Sequence, residues 1–491
     1  MADANEPILP LAWLRGIAIG LLVVKLFVLA ATPVFMDEAY YWLWGQHPDL
    51  SYFDHPPLNA WLQGLSASIF GWNIAGMRAM VVLTLFGDLW LLSLFARSLA
   101  PGNSEAFWLS AILFLATPVF FGLTGVALPD HVLVFLGLLA LYCLHRFLLD
   151  WRTGKVHSYR YLYLGGVTLG LAALGKYNGV LLGAGFVAFV VFSRAYRPLL
   201  RDKHLYFALL IAIVMQAPVL IWNAQHGFAS FDFILGSRHG GQSNAAALSG
   251  LVGFVLGMVG LLGPFLLLPL VRFVLARDEV MPAFGLGRAV FWVSSAVILA
   301  ASLLTDVLFH WNLVAYVGAL PFLAFFVRER WVLFGQILYG LIAAGLALVN
   351  YSIVPVMALV SFTDQTTAWS YGWDEAAPRV EVIAAANGTA FIAATEYGIA
   401  SQLAFALRDP AVTSLSPRRE QFDFWFVPAA FAGKSAVIVS DLWRPLTAEI
   451  EARFERITLV ETVTVMRHGN GIDTYQIYLG EGYRPELIAG D

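Results

Sequence analysis

One feature confines this chain more than any other. Between residues 8 and 350 it consists largely of apolar runs about as long as a bilayer is thick. They fall near 8–32, 75–96, 106–122, 131–149, 161–175, 178–193, 205–222, 247–271, 289–305, 311–327 and 331–350. A helix needs about 20 apolar residues to cross the hydrocarbon core. The spacing therefore predicts a polytopic α-helical membrane protein with about 11–13 spans: 11 runs are counted, and the apolar stretch 351–361 can extend the last or add one. Composition agrees: only 13% of residues are charged, against roughly 25% in soluble domains. That excludes a soluble globular chain and a disordered one. A net charge of −4 offers nothing to a nucleic acid. The single cysteine, Cys143, excludes an intrachain disulfide.

Charge distribution sets the expected orientation. Fifteen Lys and Arg residues lie in one set of loops and four, Lys25, Arg78, Lys176 and Arg238, in the opposite half of the membrane region. By the positive-inside rule this puts the N-terminus in the cytoplasm and, with an odd number of spans, the C-terminal region outside. The first run reads as an anchor rather than a cleaved signal, because it is long and its leading segment carries Asp3 and Glu6.

Composition shifts near residue 361, which divides the chain into a transmembrane part, 1–361, and an extracytoplasmic α/β domain, 362–491. Segments 391–395, 436–440, 458–466 and 474–479 read as strands, 399–407 as a helix between two of them, and 469–471 as a hairpin turn. Asn387-Gly388-Thr389 matches a glycosylation sequon, but Asn-Gly is first of all a turn. A lid or partner platform and a substrate-binding role are both open to this domain.

The outer loops hold the chemistry. Asp37 and Glu38 end the first span, and Asp54, His55, Pro56 and Pro57 follow after Tyr40, Tyr41, Trp42, Trp44, Tyr52 and Phe53. Carboxylates at a span end are costly in lipid, so they should face a polar cavity. Such a set can supply a general base and metal ligands. The aromatic rings suit a sugar, and equally an interfacial belt. Asp130, in Pro129-Asp130-His131, is either a second carboxylate of that cavity or a favourable charge at a helix start. Lys176, in Lys176-Tyr177-Asn178, can meet a phosphate or pair with Asp37 or Asp130. The polar loop 223–246 contains His226, a possible metal ligand, and Arg238, whose planar fork suits a phosphate. Lys25 and Asp88 lie inside spans, and Asp306 and His310 precede another. Seven carboxylates lie on the outer side of the membrane part: Asp37, Glu38, Asp49, Asp54, Asp130, Asp232 and Asp306.

The run Asp37-Glu38-Ala39-Tyr40-Tyr41-Trp42, followed by Tyr52-Phe53-Asp54-His55-Pro56-Pro57-Leu58, resembles the bacterial branch of the GT-C glycosyltransferases. These are the dolichyl-phosphate-mannose–protein mannosyltransferase-like proteins of family 39, with the lipid A aminoarabinose transferases as relatives. Gly175-Lys176-Tyr177-Asn178, Trp222-Asn223, the segment 414–419 and Gln421-Phe422-Asp423 are similar to that branch as well. The resemblance implies a GT-C fold in the bacterial inner membrane with the C-terminal domain in the periplasm. It implies a polyprenyl-phosphate-linked sugar as donor, inversion at the anomeric carbon, and Asp37 as the base, with Glu38 and Asp130 as further catalytic carboxylates. Where aminoarabinose transferases typically carry a phosphate-binding lysine, this chain has His55. Lys176 and Arg238 then become the expected phosphate contacts, and Asp54, His55 and His226 the expected ligands of a divalent metal ion. Tyr40, Tyr41, Trp44, Tyr52, His55 and Tyr177 complete the expected substrate site.

The chemistry demands little more. The sugar–phosphate bond breaks with oxocarbenium character, phosphate is already a good leaving group, and one base on the acceptor suffices. The expected acceptor is lipid A, its core or another envelope glycan or lipid. Alternatives are a protein acceptor, a secondary transporter, which would usually show repeats and mid-membrane charges, and a non-catalytic envelope scaffold.

Overall fold

The structure is a computed structural model that describes residues 8–154, 159–236, 244–276, 282–303, 307–360 and 364–485. The chain divides into two compact units, and neither is continuous in sequence. The first comprises Met1–Leu29, Leu50–Asn59 and Met80–Ala344; the second Ala30–Asp49, Ala60–Ala79 and Gly345–Asp491. Segments 30–49 and 60–79, which composition groups with the membrane part, thus belong to the same unit as the C-terminal sheet.

Among the described residues five helices are long and apolar enough to cross a membrane: Leu11–Ala31, Ile74–Leu99, Pro129–Arg152, Pro282–Ser302 and Arg330–Ser352. Two bent pairs, Lys203–Val214 with Ala217–Gln225 and Leu251–Leu262 with Pro264–Leu275, raise this to seven if each is one span. The chain is a multi-pass membrane protein, but several of the expected spans are short or broken. Expected span 106–122 breaks at Thr117-Pro118 into Glu105–Ala116 and Pro118–Leu123. Proline lacks an N–H and starts the second piece at its first helical position, where that loss is harmless. The 92° bend falls at Gly263, whose φ of 86° favours glycine, followed by Pro264.

In the first unit, broken helices leave carbonyls unpaired, and lipid cannot satisfy them. Lys25 answers one break. Its buried Nζ donates to Phe120 O at 3.2 Å, Phe121 O at 2.7 Å and Thr124 Oγ1 at 2.8 Å, closing the C-terminal end of Pro118–Leu123. This intramembrane lysine is a structural cap. Asp88 is fully buried and within electrostatic reach of Lys25. Helices Ile74–Leu99 and Pro129–Arg152 run in the same direction at one constant offset. Thr84 Oγ1 meets His131 Nδ1 and Ser98 Oγ meets His145 Nε2, both at 2.9 Å and both 47 residues apart.

The second unit carries a five-stranded sheet. In chain order its strands are β1 (Phe391–Ala394), β2 (Thr413–Ser414), β3 (Ala436–Ser440), β4 (Arg456–Arg467) and β5 (Asn470–Glu481). The spatial order is β2-β1-β3-β5-β4, with β2, β1 and β3 parallel, β5 antiparallel to β3, and β4 antiparallel to β5. Helix Tyr397–Leu407 forms the crossover from β1 to β2 that parallel strands require. The expected hairpin turn lies at His468-Gly469, both with positive φ. Phe391, Ala393, Leu415, Ala436, Ile438, Ile450, Phe454 and Tyr483 form the core of the sheet. The Asn387-Gly388 pair is a turn, as expected: Gly388 closes helix Trp373–Asn387 in the left-handed region.

Candidate active site

In the second unit the first-loop motif folds as helix Met36–Gln46. Asp37 is half-buried in its first turn, where a negative charge is favoured by the helix dipole. Glu38 has a different fate. It is fully buried, its Oε2 accepts the Phe35 N–H at 3.1 Å, and Arg78 grips it through Nε–Oε1 at 2.9 Å and Nη2–Oε2 at 2.5 Å. Arg78 also donates to Thr32 O at 2.9 Å, Thr32 Oγ1 at 3.1 Å and Pro33 O at 2.7 Å. One guanidinium therefore ties the whole turn before Asp37. Glu38, expected as a catalytic carboxylate, is fully buried and holds that turn through Arg78 and the Phe35 N–H. Arg78 escaped sequence reading as a site residue. The available signal was an arginine just inside a span, which is costly unless paired.

The aromatic expectations also change. Tyr40 is buried, its ring 4.7 Å from Tyr397 and 6.0 Å from Phe422, and its hydroxyl accepts the Gln421 N–H at 3.2 Å. Tyr41 and Trp44 are buried edge to face, 5.0 Å apart. These rings are the interior of the second unit rather than a sugar platform. Tyr52, in the first unit, is fully buried as well.

The first unit assembles its own polar cluster from five distant segments. Asp130 and Lys176 form a buried ion pair, Nζ–Oδ1 2.7 Å. Asp130 stands in the first turn of helix Pro129–Arg152, where its charge is favoured, and also pairs with Lys176. His55 and His310 lie near enough to act on the Asp130 charge. Next to Lys176 in sequence, Tyr177 Oη meets Ser230 Oγ at 3.0 Å and also interacts with Ser51 and Asp54. Asn178 Nδ2 donates to Trp311 O at 2.8 Å, fixing this turn against the segment that carries His310. Asn59 Nδ2 donates to Ala127 O at 3.3 Å, linking the first outer loop to the segment leading into Asp130. Ser51, Ser230 and the role of Asn178 were not visible in sequence, since each contact joins residues far apart in the chain.

The expected metal site is not assembled. Among the described residues no group of three or more His, Cys, Asp or Glu side chains is placed to hold a metal ion. His226 instead stacks on Trp222, ring centroids 4.2 Å apart, with Nδ1 2.8 Å from Trp222 O. Asp54, His55 and His226 therefore do not fit a divalent cation as a set. Arg238, expected at the phosphate, lies outside the described residues, as does Asp306.

Comparison with known proteins agrees with this architecture. The sequence profile described as dolichyl-phosphate-mannose-protein mannosyltransferase matches residues 54–222. The lipid A galacturonosyltransferase RgtD of Rhizobium johnstonii is 25% identical over 395 residues, covering 77% of this chain and 79% of that protein. The crystal structure of ArnT from Cupriavidus metallidurans bound to undecaprenyl phosphate has the same fold, with a TM-score of 0.59 at 15% identity over 94% of this chain and 98% of that one. The apo ArnT structure gives a TM-score of 0.57 at 12% identity over the same shares. The family expected from the first-loop motif is the one these comparisons return.

Proposed function

We propose that this chain, a glycosyltransferase of the GT-C fold, moves a sugar from a polyprenyl-phosphate carrier to lipid A, its core or a similar envelope lipid at the outer face of the bacterial inner membrane. The observation that carries this reading is the buried Asp130–Lys176 pair, drawn together with His55 in a unit otherwise built for lipid. Charged groups persist at membrane depth where they serve a substrate. Support comes also from likeness to a lipid A galacturonosyltransferase and to an ArnT that binds undecaprenyl phosphate. The uneven distribution of Lys and Arg supports a cytoplasmic N-terminus and a periplasmic sheet.

The reaction is a single displacement with inversion. Asp37 takes the proton of the acceptor hydroxyl. The acceptor oxygen bonds to the anomeric carbon on the face opposite the phosphate. The sugar–phosphate bond breaks, and its electron pair leaves with the polyprenyl phosphate. Lys176, oriented by Asp130, meets the phosphate charge: Asp130 occupies only one of its three N–H donors.

The test is mass spectrometry of lipid A and polyprenyl lipids from cells lacking the protein, complemented with the natural chain or with Asp37→Asn. A sugar mass should vanish from lipid A on deletion and return only with the natural chain. Loss of the base should slow transfer by about 10²-fold or more. Full complementation by Asp37→Asn would remove Asp37 from this role, and an unchanged envelope on deletion would overturn the acceptor assignment.

A further inference from the structure

Helix Met36–Gln46 is only 11 residues long, and helices of that length are marginal on their own. Its seven consecutive residues from Glu38 to Trp44 are all buried. What surrounds the helix therefore decides where Asp37 stands, and most of those neighbours come from the sheet-bearing part of the same unit.

The grip is distributed along the helix. Ahead of it, Gln402 Nε2, itself buried, donates to Val34 O at 2.8 Å and to Trp369 O at 3.2 Å. At its first residue, Met36 lies on Gly398 so closely that a Cβ there would stand 2.6 Å from Met36 Cγ, with Glu396 Oε2 at 3.0 Å on another side. In the middle, Tyr40 is bonded by the Gln421 N–H and packed against Tyr397. At its end, His47 Nε2 lies 2.9 Å from Pro410 O and the ring stacks on Trp425 at 4.3 Å. Val34 and Met36 thus both lie just ahead of Asp37, and both are held from helix Tyr397–Leu407.

We propose that the C-terminal sheet region takes part in the reaction by positioning the Asp37 carboxylate, with Gly398 and Gln402 as positioning residues that act through Met36 and Val34. The inference rests on the reading of Asp37 as base. A misplacement of about 1 Å of a reacting group can cost about 10²-fold in rate, and a methyl group at Gly398 would meet Met36 Sδ and Cγ, so the side chain that begins the helix must move.

The experiment compares the natural chain, Gly398→Ala and the double variant Gly398→Ala with Met36→Ala, all full length in nanodiscs. Two quantities are read: transfer kinetics, and hydrogen exchange over residues 36–46. Gly398→Ala should lower kcat about 10- to 100-fold with the donor KM little changed, and exchange over 36–46 should rise. Removing the Met36 side chain should return both most of the way, which a general loss of folding would not do. Gln402→Leu, which leaves two carbonyls without their donor, should lower kcat in the same KM-neutral manner. Gly398→Ala with unaltered kcat, whether or not exchange changes, overturns the proposal, and so does a loss that the double variant fails to repair. The failure of Asp37 as base is seen separately, as transfer retained by Asp37→Asn.

Discussion

Glu38→Ala should cost the protein its stability, whereas Asp37→Asn one residue away should cost it its chemistry. The Arg78 and Glu38 side chains are 2% and 0% exposed, and two of the Arg78 nitrogens end on the Glu38 carboxylate. Removing that carboxylate strands a guanidinium where water cannot reach it. Breaking a buried pair on one side typically costs about 3–5 kcal/mol. The Phe35 N–H loses its acceptor as well, and loss of such a helix-start contact adds about 1 kcal/mol. Glu38→Gln keeps the shape but turns one acceptor oxygen into an NH2 that faces N–H donors, and it leaves the guanidinium charge without its counter-charge, so the cost stays at about 3 kcal/mol. Replacing both partners by methionine should recover part of the loss but not all, because Arg78 also serves Thr32 O and Pro33 O. The assay pairs thermal unfolding in nanodiscs with transfer activity per folded molecule. Glu38→Gln should melt lower and remain active per folded molecule. If it melted like the natural chain and lost transfer as completely as Asp37→Asn, Glu38 would be a reacting carboxylate and the structural assignment would fall.

Lys176→Met should abolish most transfer and destabilise the first unit, because Asp130 is left buried without its 2.7 Å partner; adding Asp130→Asn should restore the melting temperature but not the transfer. Lys25→Met should lower the melting temperature by uncovering the Phe121 carbonyl, a buried acceptor costing about 1–3 kcal/mol, while Phe120 O keeps its Thr124 donors, with Lys25→Arg intermediate. In the sheet region burial pushes the Glu396 carboxyl up to about 7 and that of Glu420 up to about 8, the latter raised further by Glu396. Protonation is thus favoured by folding, so this stability is fully present below the ordinary glutamate range and is lost as pH rises through about 7 to 8. Thermal melts across pH should show the decline, and Glu420→Gln should flatten it.

How far the sequence could be read depended on the range of the interaction concerned. Four strands and the Tyr397–Leu407 helix were visible because their apolar patterns are local, whereas β2 has only two residues and takes its identity from pairing with β1. Helix Trp373–Asn387 was hidden by Pro378 and the alternating Val380-Glu381-Val382 inside it. The breaks at Thr117-Pro118 and Gly263-Pro264 were hidden because hydropathy runs smoothly through them, while the backbone does not. In the site, Asp130 and Lys176 were singled out, and their pairing was one alternative among several. Glu38 and the first-loop aromatics were misassigned for a common reason. A ring or carboxylate facing substrate and one facing a protein interior have the same composition, and only the partner, Arg78 forty residues away for Glu38, tells them apart.

The discontinuous second unit sets the terms on which relatives can exchange parts. A chimera joined at residue 361 looks natural by composition, yet it would pair a foreign sheet with a native Met36–Gln46 helix and so cut through one packed body. The transplantable piece is 30–49, 60–79 and 345–491 taken together. Any graft of acceptor preference through the C-terminal region must carry the first-loop helix with it.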